Sequence, residues 1–145
     1  MEITVEIARA ADAELTEAFG RLLPQLSRTA RPLDAEAVAR VVASDTNTVL
    51  VARADGEIVG TLTLTTTPLP SGLRARIEDV VVDAGLRGRG VAGLLMEEAL
   101  GIAREAGVRT VDLTSRPDRD SANRLYERLG FRRRESTVYR YAVEQ

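Results

Sequence analysis

At 145 residues with 44% hydrophobic content, the chain has enough apolar material for one domain with an ordinary core, and its net charge of -2 leaves no basic footprint for nucleic acid. It holds no cysteine and no histidine, which excludes disulfides, thiol nucleophiles, imidazole bases and the usual zinc sites; any general base is a carboxylate, a tyrosine, a terminal amine or water. All 20 basic residues are arginine, no apolar run nears the roughly 18 residues of a membrane span, and the N-terminus carries no basic-then-apolar leader, so a soluble, cytoplasmic chain without a bound metal is expected.

Ile3, Val5 and Ile7 alternate with Thr4 and Glu6, the period of a half-buried strand. Asp12 then caps an expected helix carrying Leu15, Ala18, Phe19, Leu22 and Leu23, which Pro24 kinks or ends. A second helix is expected from Asp34 through Ala37, Val38, Val41 and Val42. The intervening Ser27 to Leu33 reads either as a plain connector or as one wall of a substrate cleft. Thr48 to Ala54 and Ile58 to Thr67 form two strands around the turn Ala54-Asp55-Gly56-Glu57, with Leu62 and Leu64 on one face and Thr61, Thr63 and Thr65 on the other. Pro68, Pro70 and Gly72 break the chain before a third strand, Leu73 to Val82. A long helix follows with Leu94, Leu95, Ala99 and Ile102 on its apolar face and Gly107 as its stop. Val108 to Leu113 is a short strand, Ser121 to about Leu129 a short helix stopped by Gly130, and Phe131 to Val143 a terminal strand, or two if Glu135-Ser136 turns.

Between the third strand and the long helix lies Arg87-Gly88-Arg89-Gly90-Val91-Ala92-Gly93. Glycines at such a junction let backbone approach a ligand, and the helix start offers unpaired N–H groups at the positive end of its dipole. That is a place to hold phosphate. Gly88-x-Gly90-x-x-Gly93 matches the dinucleotide fingerprint, with Asp112 at nearly the expected distance. Three features oppose that reading. Five residues separate Val82 from Gly88, Asp112 sits in mid-strand, and only about 50 residues remain to build the second half of a doubly wound sheet. A Walker loop needs a lysine and is excluded.

In another register, Arg87-x-x-Gly90-x-Ala92 after Val80-Val81-Val82-Asp83 resembles the pyrophosphate loop of the GNAT superfamily of N-acetyltransferases. Ala122, Leu125-Tyr126-Glu127 and Leu129-Gly130-Phe131 resemble that family's second motif. The order of elements also agrees, so the resemblance covers nearly the whole chain. It implies a single α+β domain over residues 1–145: a mixed, mostly antiparallel central sheet of six to seven strands with helices on both faces.

The resemblance further implies acetyl-CoA as cosubstrate and direct transfer of its acetyl group to a primary amine. Backbone amides of Gly88, Arg89, Gly90, Val91, Ala92 and Gly93 would wrap the pyrophosphate, with the Arg87 and Arg89 side chains adding charge-assisted contacts. Backbone groups of the strand Val80, Val81 and Val82 would pair with pantetheine like an added strand, an N–H near Val80 polarising the thioester oxygen. Tyr126 is in the place of the family's general acid. Glu78 is in the place where some members carry a base; Asp79, exchanged with it by a bulge in the strand, and water are the alternatives. Both carboxylates also read as surface charges or ion pairs with Arg74 or Arg76.

The chain departs from the family pattern in two places. Thr114 stands where some protein N-terminal acetyltransferases have glutamate, and Arg119 where members often place a CoA-contacting asparagine, a contact that Asn123 would share. The Arg132-Arg133-Arg134 run reads as a solvated face, and Tyr139 and Tyr141 either line an acceptor cleft or pack on the sheet. The expected partner is a small-molecule or peptide amine, with no nucleic acid and no membrane, and the chain a monomer or homodimer. A non-catalytic CoA-binding or regulatory module is the competing reading.

Overall fold

The computed structural model describes residues 1–29 and 31–144, which divide into two compact units, Met1–Thr114 and Ser115–Gln145. The first unit runs β1 (Ile3–Ile7), α1 (Ala13–Leu26), α2 (Ala35–Ala43), β2 (Asn47–Ala54), β3 (Glu57–Leu69), β4 (Gly72–Val82), a 3₁₀ turn (Ala84–Leu86), α3 (Val91–Ala106) and β5 (Thr110–Asp112). The strands form one sheet in the order β1-β2-β3-β4-β5, antiparallel except for β4 and β5. Among the described residues, no helix is long and apolar enough to cross a membrane.

Local chemistry accounts for most boundaries. Asp12 Oδ1 accepts from the Leu15 N–H at 2.9 Å and Asp34 Oδ1 from the Ala37 N–H at 2.8 Å, satisfying one orphan donor at each helix start. Pro24 lies in the last turn of α1, which continues to Leu26. Asp55 and Gly56, with φ of 50° and 88°, make the two-residue turn that matches the twist of β2 and β3. The expected break at Pro68 falls later, because β3 continues through it to Leu69. Thr66 turns its N–H toward Thr46, so Pro68, two residues on, presents its missing donor where pairing with β2 has ended. Of the Ser27 to Leu33 segment, residue 30 lies outside the described residues.

Helices cover both faces of the sheet. On one, Leu15, Ala18, Phe19, Leu22 and Val38 from α1 and α2 pack with Val49, Val51, Ile58 and Val81. The opposite face carries Leu50, Leu62, Leu64, Ala75 and Ile77, buried along with Val91, Leu95, Met96, Ala99 and Ala103 of α3. The close approach of α3 explains Gly60, where an added Cβ would meet the Val81 carbonyl oxygen, Leu95 and Val91 at 3.2–3.4 Å. The α3 stripe is rotated from the expected one, leaving Leu94 40% exposed, because its buried positions recur at four-residue spacing from Val91. Thr61, the buried polar residue among these strands, donates to the Leu50 carbonyl at 2.8 Å.

The second unit contains α4 (Asp120–Arg128), followed by residues 131–144 without a ladder partner. The sheet therefore has five strands among the described residues, where six to seven were expected, and the α+β class stands. The difference lies in Phe131 to Val143. Its alternation is interrupted by Arg132-Arg133-Arg134-Glu135, and an extended segment becomes a strand only where a neighbour takes its hydrogen bonds.

Candidate functional site

β4, the fourth strand of the antiparallel set, is shared unequally between its neighbours. Pairing of β4 with β3 runs to Val82, opposite Gly60, whereas pairing with β5 stops at Arg76, opposite Asp112. From Ile77 to Val82 one backbone edge of β4 is therefore without a ladder. Alternate residues of an antiparallel strand turn their polar groups to one side. The Asp83 N–H donates to the Val59 carbonyl at 2.8 Å, which directs Asp83 and Val81 toward β3 and leaves Val82 and Val80 on the open edge. The Val82 carbonyl is taken by Arg87 Nε at 3.3 Å. The open edge thus offers the backbone of Val80 and the N–H of Val82.

A register shift between Thr61 and Thr63 sets Asp79 and Val80 against one residue of β3, and Asp79 sits at φ 52°. This is the expected bulge. Its consequence is that Glu78, opposite Thr63, and Val81, opposite Thr61, share the face covered by α1 and α2. Glu78 forms an ion pair with Arg76, whose Nε donates to Oε1 at 2.9 Å, and Arg76 Nη2 donates to Thr114 Oγ1 at 3.1 Å. Asp79 makes no such bond. Loss of surrounding water, and next the Glu78 charge, push its carboxyl above the usual aspartate range.

The junction after β4 is shaped by short-range bonds. Asp83 Oδ1 accepts from Gly85, the Ala84 N–H donates to Gln25 Oε1 at 2.9 Å, and Leu86 closes the 3₁₀ turn on the Asp83 carbonyl. Gln25 ties the junction to the end of α1, a contact without a local sequence signal. Gly88 and Gly90 adopt φ of 80° and 81°, which costs a Cβ-bearing residue about 1–2 kcal/mol. Gly90 is the N-cap of α3 and supplies no side chain, so the N–H groups of Val91, Ala92 and Gly93 have no side-chain acceptor. Nothing lies within 4 Å of a Cβ built on Gly88 or Gly90. An exposed helix start of this kind fits a phosphate group, and the adjacent strand edge fits an amide-bearing arm. Arg87 and Arg89 are exposed beside it.

In the second unit, Gly130 ends α4 at φ 100° and the Phe131 N–H returns to the Tyr126 carbonyl at 3.0 Å. The Tyr126 and Phe131 rings meet edge-on with centroids 6.0 Å apart. Burial pushes the Tyr126 hydroxyl above the usual tyrosine value, and the Arg119 charge works against that rise. Arg119 is the N-cap residue of α4. Asn123 Nδ2 donates to the Arg116 carbonyl at 3.1 Å, so its amide braces the loop that leads into α4. Val80 to Val82 and Arg87 to Gly93 thus form one continuous strand, loop and helix start, with Glu78 on the strand leading in. Tyr126, Arg119 and Asn123 share α4 and its cap.

Residues 9–131 match the model of the acetyltransferase (GNAT) family. No curated protein sequence matches the chain. Among solved structures, a transcriptional regulator from Bacillus halodurans C-125 is 29% identical with a TM-score of 0.79, covering 96% of this chain and 100% of that one. A Trypanosoma brucei acetyltransferase is 25% identical with a TM-score of 0.79, covering 97% and 100%. AAC(6')-Iy in complex with the bisubstrate analogue CoA-S-monomethyl-acetylneamine is 18% identical with a TM-score of 0.81, covering 98% and 99%, a likeness of fold alone.

Proposed function

The chain belongs to the acetyltransferase (GNAT) family, and from that premise we propose that it transfers an acetyl group from acetyl-CoA to a primary amine by direct attack. The observation that carries the proposal is the unladdered edge of β4 running into an uncapped helix start. The N–H groups of Val91, Ala92 and Gly93, with those of Gly88 to Gly90, receive the pyrophosphate, and Arg87 and Arg89 add charge. The Val80 backbone binds the acyl end, where its N–H stabilises the negative charge developing on the thioester oxygen. Val81 anchors the strand in the core beneath α1 and α2.

Glu78 accepts the proton that the ammonium group must lose, directly or through water. Its ion pair with Arg76 supports that role by fixing the carboxylate on one face of β4. Asp79, which lies within the bulge, is the alternative base. Tyr126 donates the proton to the departing thiolate, as a tyrosine hydroxyl is protonated at neutral pH. Arg119 and Asn123, at the start of the same helix, are the residues we assign to contacts with the CoA arm, as the family resemblance implies. Without a cysteine, the chain has no thiol to carry an acyl-enzyme. The acceptor is a small-molecule or peptide amine, and the chain acts in the cytoplasm as a monomer or homodimer.

Thiol release from acetyl-CoA over a panel of amines, peptides and aminoglycosides tests this reading. Turnover that saturates with both substrates is the expected result. Saturable CoA binding without turnover on any amine would instead indicate a regulatory CoA-binding module.

A further inference from the structure

The register of the sheet places Thr63 and Thr65 of β3, Arg74, Arg76 and Glu78 of β4, and Thr110 and Asp112 of β5 on one face, the face that carries Val49, Val51 and Val81. The apolar part of that face lies under α1 and α2. The polar part alternates charge, with two guanidinium groups and two carboxylates, and so presents no net charge to a ligand. At its centre Arg76 and Glu78 remain 47% and 44% exposed along their side chains. Arg76 has five N–H donors; Nε serves Glu78 and Nη2 serves Thr114, which leaves others for a bound molecule.

We propose that Arg76 binds a carboxylate of the acceptor, so that the amine acetylated here belongs to an amino acid or a similar small zwitterion. The inference rests on the reading that Glu78 faces the reacting amine. The charged groups of Arg76 and Glu78 stand 2.9 Å apart, so an acceptor meeting both must hold its amine and its acid within a few bonds of each other. An amino acid does so. Its ammonium group pairs with Glu78 and its carboxylate with Arg76, and every charge of the original pair keeps an opposite partner. A polycationic amine brings a second positive charge against Arg76 and gains nothing from it. Arg74, bonded to Thr110 Oγ1 at 3.5 Å and Ser71 Oγ at 3.3 Å, lies two residues farther along the strand and extends the cationic side away from Glu78.

The test compares amino acids of small, apolar and acidic side chain with their carboxamides, beside spermidine and neamine. Thiol release gives KM for each, and calorimetric titration into the protein saturated with CoA gives affinity without turnover. At least one amino acid is expected to show a KM about tenfold or more below its carboxamide, the loss expected for one charge-assisted contact. Arg76→Gln should bring the two values together by raising KM far more for the acid than for the amide, whatever loss of kcat both share through the Glu78 ion pair, and Arg76→Lys should restore part of the gap. Equal KM and affinity for acid and amide, or tighter use of spermidine or neamine, would overturn the inference while leaving acetyl transfer intact. Selective binding of the acid that Arg76→Gln abolishes, with no thiol release from any amine, would uphold the Arg76 site and overturn the transferase reading. Binding of neither acid nor amide overturns the inference.

Discussion

Two kinds of helix start occur within the first unit. The first turns of α1 and α2 are closed by Asp12 and Asp34, whose carboxylates take an orphan N–H and place negative charge at the positive end of the dipole. The first turn of α3 begins at Gly90, has no acidic residue and no side-chain acceptor, and is led in by Arg87 and Arg89. All three helices bury an apolar stripe on the sheet, so packing does not distinguish them. What distinguishes them is who completes the hydrogen bonds. The protein completes its own at α1 and α2, and leaves the α3 start without a side-chain acceptor.

Filling the α3 start with the protein's own charge should have the largest effect. Gly90→Asp puts a carboxylate at the proposed pyrophosphate site and forces a side chain into φ 81°. KM for acetyl-CoA should rise about a hundredfold or more, equivalent to about 2.7 kcal/mol of lost binding. Calorimetry with CoA separates lost affinity from misfolding, which circular dichroism monitors. Unchanged affinity for CoA would break the comparison, since α3 would then be open without being a site.

Emptying a capped start should do the reverse. Asp12→Ala should lower stability by about 1 kcal/mol, read as a shift in the urea midpoint, with KM for acetyl-CoA unchanged. Arg89→Gln is a smaller perturbation of the opposite kind: KM for acetyl-CoA should rise a few-fold at low salt, and the difference from the parent should shrink as salt screens the exposed charge. A fall in stability without a change in KM would move Arg89 out of the site.

Sequence reasoning found these helix starts because each depends on residues within three or four positions. Asp12, Asp34 and Gly90 are visible as local signals, as are the Asp55-Gly56 turn and the bulge suspected at Glu78 and Asp79. The failures have a common cause in what lies far along the chain. The extent of β3 through Pro68 depends on where β2 ends, and the terminal strand depends on a neighbour that no local pattern supplies. The tie from Gln25 to Ala84 and the bridge from Arg76 to Thr114 span 59 and 38 residues. The α3 stripe differs from the expected one for a milder reason: Leu94 and Leu95 are both apolar, and only packing selects one.

The smallest effect lies in β4 itself, where one residue is set against stability. Asp79 combines a left-handed backbone with a carboxyl whose pKa is raised by lost hydration and by Glu78. A raised carboxyl pKa means that the folded state holds its proton more tightly than the unfolded chain does. Stability is therefore undiminished below the ordinary aspartate value of 3.8, falls as pH rises through the shifted pKa, and stays reduced at neutral pH. Asn tolerates the left-handed conformation and carries no charge. Asp79→Asn should accordingly raise the urea midpoint at pH 7, with the gain shrinking as pH falls toward 3.8. If Glu78 is the base, kcat at pH 7 should change little. A collapse of kcat together with a gain in stability would transfer the proton-accepting role to Asp79, and would make the bulge a device that stores strain at the reacting group.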